Sequence, residues 1–182
     1  MPTAINRTTK EVRQSADPNV IDQAAWICPA DLALVEHLPA WRWVIDGDLV
    51  RAPTSEEAAE QDEARLAAAK SAKIAAIDAR VPALLASGVR VNGESISCSA
   101  NAQQNLLALA VGRLTGRTQF PLGLSTTSGG EHVVEDQAEL DRLSDLVWTR
   151  VHSLLAQGRS LRLAVLAAET IAEVDEVEDL RT

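Results

Sequence analysis

Aromatic residues are scarce: they make up 3% of the 182 residues, with no tyrosine and one phenylalanine. A core left to Ala, Leu and Val suits packed helices rather than a β-sandwich, whose strands draw on aromatic and β-branched side chains. No run of 18 or more apolar residues occurs, so no membrane-spanning helix is expected. The opening MPTAINRTTKEVRQ lacks the apolar centre of a secretory signal and is not expected to act as one. The two cysteines, Cys28 and Cys98, lie far apart and read as free thiols of a reducing cytoplasm. Bases are outnumbered, 17 to 26, giving a formal charge of -9 and a pI near 4.8. Such a surface repels phosphate backbones and argues against nucleic-acid binding.

Chemistry-bearing motifs are missing too. His37, His132 and His152 are isolated, and no CxxC, HExxH or acidic cation loop is present. There is no GxSxG elbow, GxxxxGK[ST] or GxGxxG. His152, beside an apolar helical position, reads as structural. The carboxylates at Glu56, Glu57, Glu60, Asp62 and Glu63 spread around a helix, which makes a solvated face rather than an acid–base pair. The residues therefore predict no cofactor, no metal and no catalytic site, and point to a structural or binding role.

What the sequence does contain is a long amphipathic stretch. Leu140, Leu143, Val147, Val151, Leu154, Leu161, Val165 and Ala168 follow a 3–4 spacing, with Gly158 in the one gap. That spacing draws one apolar stripe along a helix, and Asp136 with Glu139 reads as its capping box. A helix with that stripe wet is not stable alone, so earlier elements must cover it.

Residues 1–19 are polar and aperiodic, and read as an extended interaction arm. Residues 20–53 hold three of the four tryptophans, Trp26, Trp41 and Trp43. Pro29 and Asp31 suit a short helix through Leu38, and WRWVIDGDLVRAP reads as a hairpin turning at Asp46-Gly47. On that strand Trp41 and Trp43 share a face. They form either a small satellite core or an aromatic patch that docks another chain, and the three tryptophans are the candidate partner-binding residues. Pro53-Thr54-Ser55-Glu56-Glu57 starts a helix rich in Ala, Glu, Lys and Arg, and Pro82 should interrupt it near Val81. Its first half suits a parallel bundle of identical chains as well as a single exposed connector. Its second half carries a core stripe of Ile74, Ile77, Val81 and Leu84.

Asn92-Gly93 is the strongest turn signal and predicts a hairpin over 89–98, with Cys98 a small core residue. A helix follows from Ser99 to about Leu114, in which Asn101, Gln103, Gln104 and Asn105 either satisfy backbone groups of the hairpin or meet a partner. Leu124–Thr127 and His132–Val134 suit a further hairpin, and IAEVDEVEDL a last acidic helix. Three parts are expected: 1–53 for attachment, 54–87 as a linker helix, and 88–182 as a helical domain with a hairpin. The fold class is mostly α (α+β), a small helical domain with short hairpins.

Between about 70 and 177, the segments AKIAAIDAR, SGVRVNGESISCSANAQQNLLALAV, RVHSLLAQGRSLRLAVLAA and ETIAEVDEV resemble a phage-associated domain family of unknown function. That family occurs in tail-fibre and tail-fibre-assembly proteins of tailed bacteriophages. Upstream, WVIDGDLVRAPTSEEAAEQDEARL is similar to a hairpin-plus-helix pattern of fibre-assembly proteins. Ile96 and Ser99 stand where family members often carry an aromatic residue and an aspartate, so no ligand site is carried over there. The resemblance implies a non-enzymatic tail protein of the virion, associated with the tail fibre, made in the host cytoplasm and docking to other virion proteins. The alternative is an assembly chaperone that binds fibre subunits.

Overall fold

The computed structural model describes residues 2–14 and 16–182. Its backbone is 48% helical and 17% strand, the expected mostly helical α+β class. Contacts divide the chain into two compact units, 1–67 and 68–182.

The first unit is built on short strands. β1 (Thr3–Asn6) pairs antiparallel with β2 (Val12–Gln14) on one side and β3 (Trp26–Ile27) on the other. The register puts Ile5 opposite Val12 and Ile27. Within the extended arm expected over residues 1–19, residues 3–14 are thus a folded hairpin, with Ala4 and Ile5 fully buried. Its turn is local chemistry: the Asn6 side chain accepts from the Thr8 and Thr9 N–H groups, and Lys10 adopts a positive φ of 59°. A four-residue strand with one large apolar residue is too short to show periodicity.

β4 (Val44–Asp46) and β5 (Leu49–Arg51) form the second hairpin. Asp46 pairs with Leu49, so the two-residue loop is Gly47-Asp48, one position later than the DG signal suggests. Gly47 takes the positive φ, 60°, at the first loop position, which suits the Gly-first hairpin turn. Before the strand, Ala40–Arg42 is a 3-10 turn, and 32–38 is a chain of hydrogen-bonded turns rather than a regular helix. Ile5, Ile27, Val35, Trp43 and Val50 make the core of this unit.

α1 (Ser55–Ala79) starts on a reciprocal cap. The Glu57 N–H donates to Thr54 Oγ1 (3.2 Å) and the Thr54 N–H to Glu57 Oε2 (2.8 Å), satisfying two donors no helical carbonyl can reach. The Arg51 guanidinium forks onto the same carboxylate at 2.7 and 2.8 Å and holds the Glu57 carboxyl down to about 2. α1 continues into the second unit, breaks at Arg80 and restarts as α2 (Val81–Ser87). Pro82 sits in the first turn of α2, where its missing N–H costs no hydrogen bond.

In the second unit, β6 (Val89–Val91) and β7 (Glu94–Ile96) turn at Asn92-Gly93, with φ of 50° and 88°; two successive positive φ values are what the mirror-image hairpin turn requires. α3 (Ala100–Leu114) follows, capped by the Ser99 hydroxyl. β8 (Leu122–Ser125) and β9 (Glu131–Val134) make the next hairpin, joined to β7 through the Ile96–Thr126 pair. α4 (Gln137–Ala167) begins at Asp136, whose side chain accepts from the Glu139 N–H at 2.9 Å. Its stripe is buried at Leu140, Leu143, Val147, Val151, Leu154, Gly158 and Val165, Ala168 is buried just past the helix end, and Leu161 is half-buried. Val91, Ile96, Cys98, Leu106 and Val134 cover the front half. Cys98 belongs to that core and burial pushes its thiol up; both cysteines are free.

α5 (Ile171–Glu176) is capped by Thr170 and anchored by Val174. Residues 177–182 then return across α1 and α4 as a strap closed by Arg181, which is 5% exposed. Its guanidinium donates to Asp179 Oδ1 and Oδ2 at 2.8 and 2.7 Å and to the Ile77 carbonyl at 2.7 Å. Arg80 donates to the Arg181 carbonyl (2.9 Å) and pairs with Asp179 (3.2 Å). The gap in the stripe now has a reason. A Cβ at Gly158 would lie 2.8 Å from Arg181 Nη1, so the small residue makes room for the guanidinium.

Candidate docking surface

The tryptophans singled out from sequence do not form an outward patch. Trp43 is 6% exposed, and its indole N–H is shared between the Val35 and Leu38 carbonyls at 2.9 and 3.1 Å. Trp26 is 8% exposed, with the Arg13 guanidinium 4.3 Å above its ring. Burial removes both from any docking patch in this fold. Trp41 is half-buried, with the guanidiniums of Arg42 (4.6 Å) and Arg65 (3.8 Å) against its ring. The 3-10 turn breaks the strand between Trp41 and Trp43, so they never share a pleated face.

The fourth tryptophan is the bare one. Trp148 on α4 is 64% exposed, although Val147 beside it is buried. One residue along a helix is about 100° of rotation, so Trp148 leaves the seam at its margin. Its ring stacks on His152, with centroids 4.0 Å apart and planes tilted by 47°.

Opposite it, α3 is apolar on two sides. Leu106 faces the core, while Leu107, Val111 and Leu114, at the i, i+4, i+7 positions of one stripe, stand 65%, 51% and 77% exposed. Between the helices lies a groove of about 490 Å³, lined by Gln103, Leu107 and Ala110 from α3 and Ser144, Trp148 and Val151 from α4. Of the amides expected to serve the hairpin, Gln103 does so, donating to the Cys98 carbonyl at 2.7 Å. A groove floored by aliphatic carbon and flanked by an accessible indole fits the apolar face of another polypeptide. The helical spacing of Leu107, Val111 and Leu114 was visible in sequence; that α3 cannot bury both of its apolar sides was not.

The structure also gives the isolated histidine at 132 two partners. His132 is buried, with Nδ1 3.0 Å from Glu94 Oε2. Nε2 is 3.3 Å from Glu139 Oε1 but is not aligned as a hydrogen bond. The carboxylates lie on opposite ring nitrogens, which ties β7 to the start of α4 and cannot chelate one ion. Among the described residues no group of three His, Cys, Asp or Glu side chains is placed to hold a metal, and no helix is long and apolar enough to cross a membrane.

Neither the curated proteins nor the solved structures give a match to this chain. The α3–α4 groove, the His132 tie and Asp179 of the strap all fall within residues 68–179, the span that matches a family described as a domain of unknown function, DUF4376. That span is more than half of the chain, and the protein belongs to this family.

Proposed function

We propose that the chain is a non-enzymatic component of a bacteriophage tail, associated with the tail fibre, which acts by docking to other virion proteins. The likeness of residues 70–177 to a domain of tail-fibre and fibre-assembly proteins supports the phage assignment. The observation that carries docking is the uncovered groove between α3 and α4, with Leu107 and Trp148 bare at its edge. Leaving such side chains two-thirds exposed forgoes about 1–2 kcal/mol each on the apolar burial scale, which burial under a partner would regain in part. Attachment thus moves from the expected N-terminal tryptophans to the second unit.

The test is incorporation. A Leu107→Ser, Trp148→Ser double variant should keep its circular dichroism spectrum and lose its place in purified particles; undiminished incorporation would refute docking through this groove. An assembly chaperone would use the same face transiently. Mass spectrometry separates the two readings: stoichiometric presence in particles supports a structural component, and presence only in the assembling lysate supports the chaperone.

A further inference from the structure

A second recess of the 68–182 unit, about 900 Å³, lies between α3 and β8. Four consecutive residues of β8 and its end, Gly123, Leu124, Ser125 and Thr126, line it. A strand turns alternate side chains to opposite faces, so four in a row meeting one cleft means that the cleft runs along the strand's edge. β9 pairs with β8 on one side only. On the other, β7 reaches β8 at the Ile96–Thr126 pair and the Thr127 N–H to Ser95 carbonyl bond, then diverges as the chain enters α3. Before that point the edge is unpaired among the described residues. Unpaired strand edges are templates for another chain, and natural proteins usually cover them.

The cleft offers more than a backbone edge. Leu106, Leu109 and Leu124 supply an apolar floor. Asn105 and Ser125 line it with side chains that have no hydrogen-bond partner among the described residues, and Arg117 reaches it with a guanidinium free of any carboxylate there. In a chain with nine more acids than bases, an uncommitted arginine on a cleft wall selects for negative charge. The Glu131 side chain lies across the outer face of Gly123 and disfavours an acid on that side, which leaves Arg117 as the position for one.

We infer that this cleft takes an extended, carboxylate-bearing peptide segment of a partner, which adds to β8 as an antiparallel or parallel strand and places its acid on Arg117. The occupant is a strand because the exposed feature is an edge. It is acidic because the charged side chain facing the cleft is an unpaired cation. The inference rests on the docking reading but concerns a different face from the α3–α4 groove, so the two fail separately: the Leu107/Trp148 variant leaves this cleft intact.

The experiment is a nuclear magnetic resonance titration of the isotope-labelled full chain with a capped peptide of alternating valine and threonine ending in glutamate. Binding near about 1 mM, the range of a short peptide with one anchor, should shift the amides of residues 122–126 and protect alternate ones from exchange. The same peptide with N-methylated valines should not bind, because it cannot pair with the edge. Arg117 is exposed, so Arg117→Glu leaves the fold intact. It should weaken the glutamate peptide roughly fivefold and favour a lysine-ended version. No shift along β8, equal binding of glutamate and lysine peptides to the unsubstituted chain, equal binding of the N-methylated peptide, or the same shifts from acetate alone would each overturn the proposal.

Discussion

The stability effect of adding a methyl at Gly158 should change sign according to whether the Arg181 guanidinium is present. Arg181→Ala strips the Asp179 carboxylate of its bidentate partner, orphans the Ile77 carbonyl and opens a void against α4. Breaking a buried pair costs about 3–5 kcal/mol, but Arg80 remains beside Asp179, so the expected loss is about 2–4 kcal/mol. Gly158→Ala in the unsubstituted chain gains about 1 kcal/mol of helix propensity. It also drives a Cβ to 2.8 Å from Nη1 of a side chain pinned by its hydrogen bonds, an overpacking cost of about 1–3 kcal/mol. The net is a loss of about 1 kcal/mol. In the Arg181→Ala background the clash is gone, and the same substitution should stabilise by about 1 kcal/mol. The coupling of about 2 kcal/mol is measurable by urea titration of the four chains, followed by far-ultraviolet circular dichroism. If Gly158→Ala stabilises both backgrounds equally, Arg181 is not seated on Gly158 and the account of the stripe's gap is wrong.

Acid should loosen the same strap. Arg181 hydrogen bonds hold the Asp179 carboxyl at about 2, below its ordinary 3.8. A depressed folded value gives stability that is complete above pH 4 and lost as pH falls toward 2, and Asp179→Asn should flatten that part of the stability profile. Trp43→Ala should cost about 3–5 kcal/mol as a core deletion, read by chemical denaturation of the first unit, whereas Trp148→Ser should change stability by less than about 0.5 kcal/mol. Ser99→Ala and Asp136→Ala each remove a side chain that caps a helix, and should each cost about 1 kcal/mol in the same assay. Ile5→Ala should cost about 2–5 kcal/mol; a neutral result would mean that the N-terminal strand is not part of the core.

Those features were legible in sequence to the degree that they are local. The α4 seam, the Asn92-Gly93 turn, the Ser99 and Asp136 caps and the Pro82 break each follow from a few neighbouring residues, and each appears where its pattern puts it. Long-range facts were hidden. Ile5 enters the core only because Ile27 of β3, 22 positions later, pairs with it, which short polar flanks do not signal. Trp41 and Trp43 alternate in sequence like strand neighbours, but Pro39 leads into a 3-10 turn that separates them. Nothing in the local sequence sets Trp148 apart from its helical neighbours; its exposure depends on how much of α4 the hairpins cover. The candidate site was therefore the least readable part, because a bare surface is defined by what fails to pack on it.

The Arg181–Ile77 hydrogen bond joins residues 104 positions apart. Closing so wide a loop is entropically expensive and yields nothing until α1 and α4 are already side by side, so the clasp belongs to the final descent into the native basin. Its loss should therefore hasten the departure from the native state while leaving the refolding rate almost untouched, and the lifetime of the folded second unit would be set largely by one guanidinium.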